Sequence, residues 1–295
     1  MALFVRFYRF EDRITFDSEQ GRSLIVSGNY IKEKPSLLGQ ELFRVTQSGH
    51  TLFSGAIFSY SLVPLQILFR FNPLPITAYF TLLNIATGIV LFWVVKKIFN
   101  YNVALVSLIL FLFNSLMINH SMFIWILNYL PLIGTLILYE AYLLYKKPKL
   151  FYPFILGILL GVGINFHYVM IPFAVLLALY TIWRSNKKLM AIIIYSFGLI
   201  AGNLPMVLFD LRHNFYHLTS FLEYLKESFG STGQAGFSYY HFFELWPVFV
   251  ILGALIVSLI YRKSRLIGIS LIAIYIYLSL TSRWVSFAKP VGMLP

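Results

Sequence analysis

The sequence contains no cysteine, and charged residues make up only 12% of its 295 positions. Without cysteine there is no disulfide, no thiolate metal site and no cysteine nucleophile. So low a charged fraction excludes a water-soluble globular domain, in which about 25% of residues are charged. Acids are the scarcest charge, 11 Asp and Glu against 23 Lys and Arg, for a formal charge of +12. That excess would suggest nucleic acid in a soluble chain. Here many cations stand in short clusters directly after apolar runs, where they read as topology signals and lipid headgroup contacts, so no nucleic acid is expected. GxxxxGK[ST], HExxH, GxSxG and CxxC patterns are missing too, which leaves P-loop hydrolysis, zincin proteolysis and the serine-hydrolase elbow without support. The first ten residues, MALFVRFYRF, carry arginines where a leader needs an apolar stretch, so no cleaved leader is read.

What is abundant is apolar: 59% of residues, with a mean hydropathy of +0.78. The expected class is all-α, a polytopic transmembrane helical bundle of about eight spans, near 76–95, 102–118, 123–145, 151–166, 168–183, 189–209, 245–261 and 266–281. The connections alternate in kind. Lys96-Lys97, Lys146 to Lys149, Arg184 to Lys188 and Arg262 to Arg265 are basic and read as cytoplasmic, which puts the intervening connections outside. The expected divisions are 1–75, an outer loop with juxtamembrane helices; 76–209, the core bundle; 210–244, an outer loop; and 245–295, further spans. Residues 52–71 are ambiguous: long enough to cross, they contain Pro64, Gln66 and Arg70. If they cross, 1–51 is cytoplasmic, as its seven Lys and Arg suggest; if they lie in the interface, 1–51 is outside.

All six histidines, and every acid except Glu140, fall on the expected outer side. The equally short basic connections hold almost nothing but Lys and Arg, so the polar equipment points to an outward-facing site. Asp17, Glu19 and Arg22 could set a general base beside a phosphate-binding cation, or merely cap a helix. In the group Asn119, His120, Ser121, Trp125 and Asn128, the histidine and asparagines can donate hydrogen bonds to phosphate or sugar, while Trp125 offers a face for a sugar ring or, as the favoured reading, an interfacial anchor. Asn165, His167 and Tyr168 make a tight turn. Asp210, Arg212 and His213 suit a lipid-phosphate headgroup, or form an ion pair closing a helix end.

Taken in order, FDSEQGRSLIV (16–26), KPSLLG (34–39), GHTLFSGAIFSY (49–60, with His50), KKIFN (96–100), WILNYLP (125–131), GILLGVGINFHY (157–168) and FDLRHNF (209–215) resemble the GT-C glycosyltransferases. Specifically, they resemble bacterial relatives of the protein-mannosyltransferase and aminoarabinose-transferase group (glycosyltransferase family 39-like). The resemblance implies an outer loop after one span, with an acidic residue in a D-[EQ]-[AG]-R-like motif as catalytic base. In register that residue is Glu19, with Asp17 as the alternative. It also implies a juxtamembrane helix before the second span, which favours 52–71 in the interface and 1–51 outside. MALFVRFYRF then looks like the last turns of a first span, and the chain reads as a partial one.

The implied activity is inverting transfer of a sugar from a polyprenyl-phosphate donor to a lipid, glycan or protein acceptor at the outer face of a bacterial plasma membrane. Glu19 or Asp17 would be the base. His50, His120, Asn128, His167, Tyr168, Asp210, Arg212, His213 and Arg22 would bind substrate. No cofactor is expected; a divalent metal stays open, although so few acids argue against a dedicated carboxylate site. The rival readings are a transporter or flippase for a lipid-linked or anionic solute, and a noncatalytic relative.

Overall fold

A computed structural model describes residues 1–230, of which Met1–Glu227 form one compact unit. The expected spans 245–261 and 266–281, the 231–244 part of the expected loop, and His241 lie outside the described residues. Three helices lead the chain: α1 (Ala2–Phe7), α2 (Phe10–Arg13) and α3 (Ser18–Lys32). Asp17 starts α3 as its N-cap, accepting from the Glu19 and Gln20 amides at 2.9 and 3.3 Å. The buried side of α3 is polar and small, with Gln20, Ser23, Ser27 and Gly28, so an approaching element can pack on it through hydrogen bonds.

What approaches is a two-stranded antiparallel hairpin, β1 (Leu38–Val45) and β2 (Thr51–Gly55), followed by α4 (Ile57–Leu68). Its turn places Gly49 at φ +85°, a region that favours glycine. The 52–71 stretch is thus part strand and part helix. At 12 residues α4 is roughly 18 Å long, short of a bilayer core of about 30 Å.

Next come α5 (Pro73–Ile98), α6 (Tyr101–Leu112), α7 (Ser115–Ser121), a 3-10 turn (Ile126–Tyr129) and α8 (Leu130–Lys146). They are followed by α9 (Phe151–Phe166), a 3-10 turn (Tyr168–Met170), α10 (Ile171–Arg184), α11 (Lys188–Gly202), α12 (Leu204–Arg212) and α13 (Tyr216–Gly230). Among the described residues, Pro73–Ile98 and Ile126–Lys146 are long and apolar enough to cross a membrane, and up to four spans result if each of two bent pairs counts as one. The helical class therefore stands, the hairpin apart, while a count of eight spans does not follow from these residues.

The bent pairs depart from the continuous spans expected at 102–118 and 189–209. Helices α6 and α7 meet at 58°, because Asn114 leaves the helical path and caps α7 through the Met117 amide at 3.1 Å. Helices α11 and α12 meet at 81°; Pro205, in the first turn of α12, has no amide proton with which to continue α11.

The core runs through Phe58, Leu62, Ile76, Phe80, Ile133, Leu156, Leu160 and Phe166, joining α4, α5, α8 and α9. Tyr129 stacks on Phe166 with ring centroids 5.1 Å apart. Arg6 is fully buried, donating to the Leu112 carbonyl and to Asn84 Oδ1, each at 2.8 Å, which pins α1 to α5 and α6. Helices α9 and α11 meet through two glycine pairs spaced four apart. A Cβ on Gly157 would lie 2.2 Å from the Tyr195 carbonyl, one on Gly161 2.3 Å from Leu199, one on Gly198 2.3 Å from Phe154, and one on Gly202 2.2 Å from Ile158.

Because those obstacles are backbone, Gly161→Leu is expected to force α9 and α11 apart at a cost of about 3 kcal/mol. Gly134, whose Cβ would meet nothing within 4 Å, supplies the control, Gly134→Ala. The check is the temperature at which detergent-purified protein loses its monodisperse chromatographic peak: Gly161→Leu lowers it and Gly134→Ala does not.

Candidate functional site

Three groups of polar residues, several of them singled out in the sequence, are tied to the hairpin. On the β1 side is the first turn of α3. Gln40 Nε2 donates to Glu19 Oε1 at 3.0 Å while its own Oε1 accepts from Ser23 Oγ at 2.9 Å, so the amide is held from both ends. The second oxygen of the half-buried Glu19 makes no bond among the described residues. Arg22, three residues on and so on the same helix face as Glu19, donates to the Glu41 carbonyl. Asp17 is exposed, and one of its oxygens is taken up in capping.

On the β2 side is the junction of α9 and α10. The Tyr168 hydroxyl donates to the Phe53 carbonyl, and with that proton committed the His217 Nε2–H is the donor to Tyr168 across 2.6 Å. His217 is 4% exposed, and burial outweighs its bond to Phe53 and the field of Asp210, so its imidazole ionises below the usual histidine range. Asp210 accepts from the His217 and Leu218 amides at 2.8 and 3.3 Å, capping α13 across the intervening turn. Asn165 completes this side: its Oδ1 accepts from the Ile57 amide at 3.0 Å and its Nδ2 donates to Asn203 Oδ1 at 3.1 Å. Gly55 is what admits it, since a Cβ there would stand 2.1 Å from the Asn165 side chain.

The hairpin tip is tied to α13. His50 donates through Nδ1 to Glu223 Oε2 at 2.8 Å, and Ser48 and Thr46 donate to the same oxygen. These donors hold the Glu223 carboxyl below the usual carboxylate range. The β1 and β2 attachments are in register, because Glu41, which receives Arg22, pairs with Phe53, which receives Tyr168.

The remaining candidates lie further off. His120 sits edge-on to Trp125 at 5.2 Å, and Asn128 is buried, donating to the Phe123 carbonyl at 2.6 Å. This segment reaches α3 through Gln20, whose Oε1 accepts from the Ile124 amide at 2.9 Å. His167 is exposed and accepts from the Val169 amide at 3.2 Å, serving its own turn. His213 donates to the Phe209 carbonyl of its own helix at 2.8 Å and stacks on that ring at 4.1 Å; Arg212 beside it is exposed and pairs with nothing among the described residues. Sequence reasoning missed Gln40, Asn165 as a bridge, His217 and Glu223. No motif in the sequence marks them, because their partners are main-chain groups or side chains remote in sequence. Among the described residues no three His, Asp or Glu side chains gather as metal ligands would.

Because His217 ionises below the free imidazole, stability is full above about pH 6.5 and drains away as pH falls through the lower folded value. Thermal unfolding of the wild type followed between about pH 7 and about pH 5 is expected to show this loss, and His217→Gln is expected to reduce it, a further part coming from His167, which desolvation also holds below the usual histidine range.

Residues 57–208, from the first residue of α4 into α12, match the family model described as Dolichyl-phosphate-mannose-protein mannosyltransferase. That stretch includes Tyr168 and leaves out Asp17, Glu19 and Arg22. No curated protein and no solved structure matches the chain.

Proposed function

We propose, since this chain belongs to the dolichyl-phosphate-mannose-protein mannosyltransferase family and is therefore a membrane glycosyltransferase of the GT-C type, that it transfers a sugar with inversion from a polyprenyl-phosphate donor to a lipid, glycan or protein hydroxyl. The reaction takes place at the outer face of a bacterial plasma membrane, where the groups around the hairpin meet the acceptor. The observation that carries this reading is Glu19, one carboxylate oxygen held by Gln40 and the other unengaged among the described residues, with Arg22 on the same helix face.

The acceptor oxygen attacks the anomeric carbon as Glu19 takes its proton, and the bond from that carbon to the phosphate oxygen breaks. The lipid monophosphate leaves with one more negative charge than it carried in the donor. Arg22 and Arg212 neutralise that charge, and His167 and His213 bind the same phosphate through hydrogen bonds; a fixed cation there favours the transition state more than the ground state. Tyr168, His50 and Asp210 shape the sugar and acceptor side at the hairpin, with His120 and Asn128 supporting it from the segment that Gln20 ties to α3.

Asparagine caps a helix as well as aspartate does, so Asp17→Asn leaves the start of α3 intact. Release of polyprenyl monophosphate from a panel of polyprenyl-phosphate sugars is expected to fall by about a thousandfold in Glu19→Gln with donor binding retained, and to stay near wild type in Asp17→Asn. The reverse pattern moves the base to Asp17. No loss in either variant of an active protein removes both carboxylates from the chemistry.

A further inference from the structure

Between α3 and α4 lies a cleft of about 250 Å³ lined by Leu24, Gly28, Asn29, Lys32, Gln66 and Phe71. Gln66 is 1% exposed, and its Nε2 donates to the Leu24 carbonyl at 2.7 Å. That bond fixes the amide, because the reverse orientation would set oxygen against oxygen. Gln66 Oε1 is therefore a buried acceptor, and it has no donor. Leaving such a group unmet costs about 1–3 kcal/mol, so it is a place where a ligand's donor gains most.

Gly28 opens the way to it. A Cβ there would stand 3.8 Å from Gln66 Oε1 and 3.7 Å from the Phe71 ring, ordinary contact distances that would fill the space before the oxygen. The next feature is charge. Lys32, exposed in the last turn of α3, holds its Nζ 5.7 Å from the Phe71 ring centre with no carboxylate partner among the described residues, and Arg70 is exposed nearby in the chain. Arg70 and Phe71 both adopt the left-handed region, at φ 51° and 62°, where a residue with a side chain is strained by about 1 kcal/mol or more. The Phe71 amide donates to the Gln66 carbonyl at 2.9 Å, and this strained turn brings Phe71 to the cleft. The helices flanking the cleft also expose Ile25, Ile67 and Leu68, by 63%, 60% and 71%.

We propose that this cleft seats the headgroup of an anionic glycerophospholipid bearing a free headgroup hydroxyl, phosphatidylglycerol being the type. Its hydroxyl donates to Gln66 Oε1, its phosphodiester faces Lys32, and its acyl chains run over Ile25, Ile67 and Leu68. A choline headgroup has no donor for Gln66, and inorganic phosphate has nothing to lay on the apolar rim. Lys32 follows Glu19 by 13 positions, about 20 Å along the helix, so the seat is distinct from the carboxylate and holds the far end of the helix that carries it.

The test is native mass spectrometry of the full chain, stripped of lipid in detergent, offered equal phosphatidylglycerol and phosphatidylcholine. One phosphatidylglycerol is expected to be retained with about tenfold preference. Gly28→Ala, whose methyl fits and which favours the helix by about 1 kcal/mol, is expected to lose that preference while unfolding at the wild-type temperature or above in lipid-free detergent. Lys32→Gln is expected to weaken retention as well. Equal retention of the two lipids, retention unchanged in Gly28→Ala, or displacement of the lipid by millimolar inorganic phosphate would each overturn the proposal.

Discussion

Two backbone carbonyls on one cross-strand pair hold this end of the molecule together. Glu41 and Phe53 face each other in the hairpin; the first receives Arg22 from α3, the second Tyr168 from the α9–α10 junction. Because the strands are bonded to each other, the two attachments cannot move independently. The helix carrying Glu19 and the junction carrying Tyr168 and His217 are thus referred to a common ruler. Asn165 and Gly55 set how deeply that ruler sits on α9: the missing Cβ lets the amide reach the Ile57 N–H and so fixes where α4 begins. Glu223 then draws α13 onto the tip through His50, Ser48 and Thr46.

Beneath the hairpin the bundle uses a different principle. Apolar burial does little to join helices already in lipid, so contact depends on shape and on polar groups with no better partner. The reciprocal glycines of α9 and α11 supply shape. Arg6 supplies the second, since it meets Asn84 and a free carbonyl at the end of α6 where water is scarce. At the two bends asparagines turn their side chains to partners outside the helix they leave: Asn114 accepts from the Met117 amide and Asn203 from the Asn165 side chain.

Much of this was legible in the sequence. The apolar run 151–166 is α9 to the residue, and 168–183 is its 3-10 turn with α10, because these runs end at capping or turn-forming residues. Both readings of Asp17 were visible, and the cap is what its side chain does in the fold. The hairpin was not legible, because its residues carry no long apolar run and its value lies in main-chain carbonyls, which every residue has. His217 carries no local signal either, because its partners, Phe53 and Tyr168, are remote in sequence. The cluster at 210–213 divided unexpectedly, with Asp210 serving the next helix and His213 its own, since a four-residue motif does not reveal which side of a helix end each member faces.

The account depends most on α3, the hairpin tip and the end of α12 sharing one membrane face, opposite the basic connections. Single cysteines introduced by Ser18→Cys, Ser48→Cys and His213→Cys in this cysteine-free chain, with Lys147→Cys and Lys187→Cys as controls, put that to a direct test in intact cells treated with a membrane-impermeant thiol reagent. The account predicts labelling at 18, 48 and 213, and at 147 and 187 only after permeabilisation, with or without an added N-terminal span. Labelling at 18 only after permeabilisation in both forms would contradict it, because the Glu19 carboxylate would then face the cytoplasm, away from the proposed acceptor.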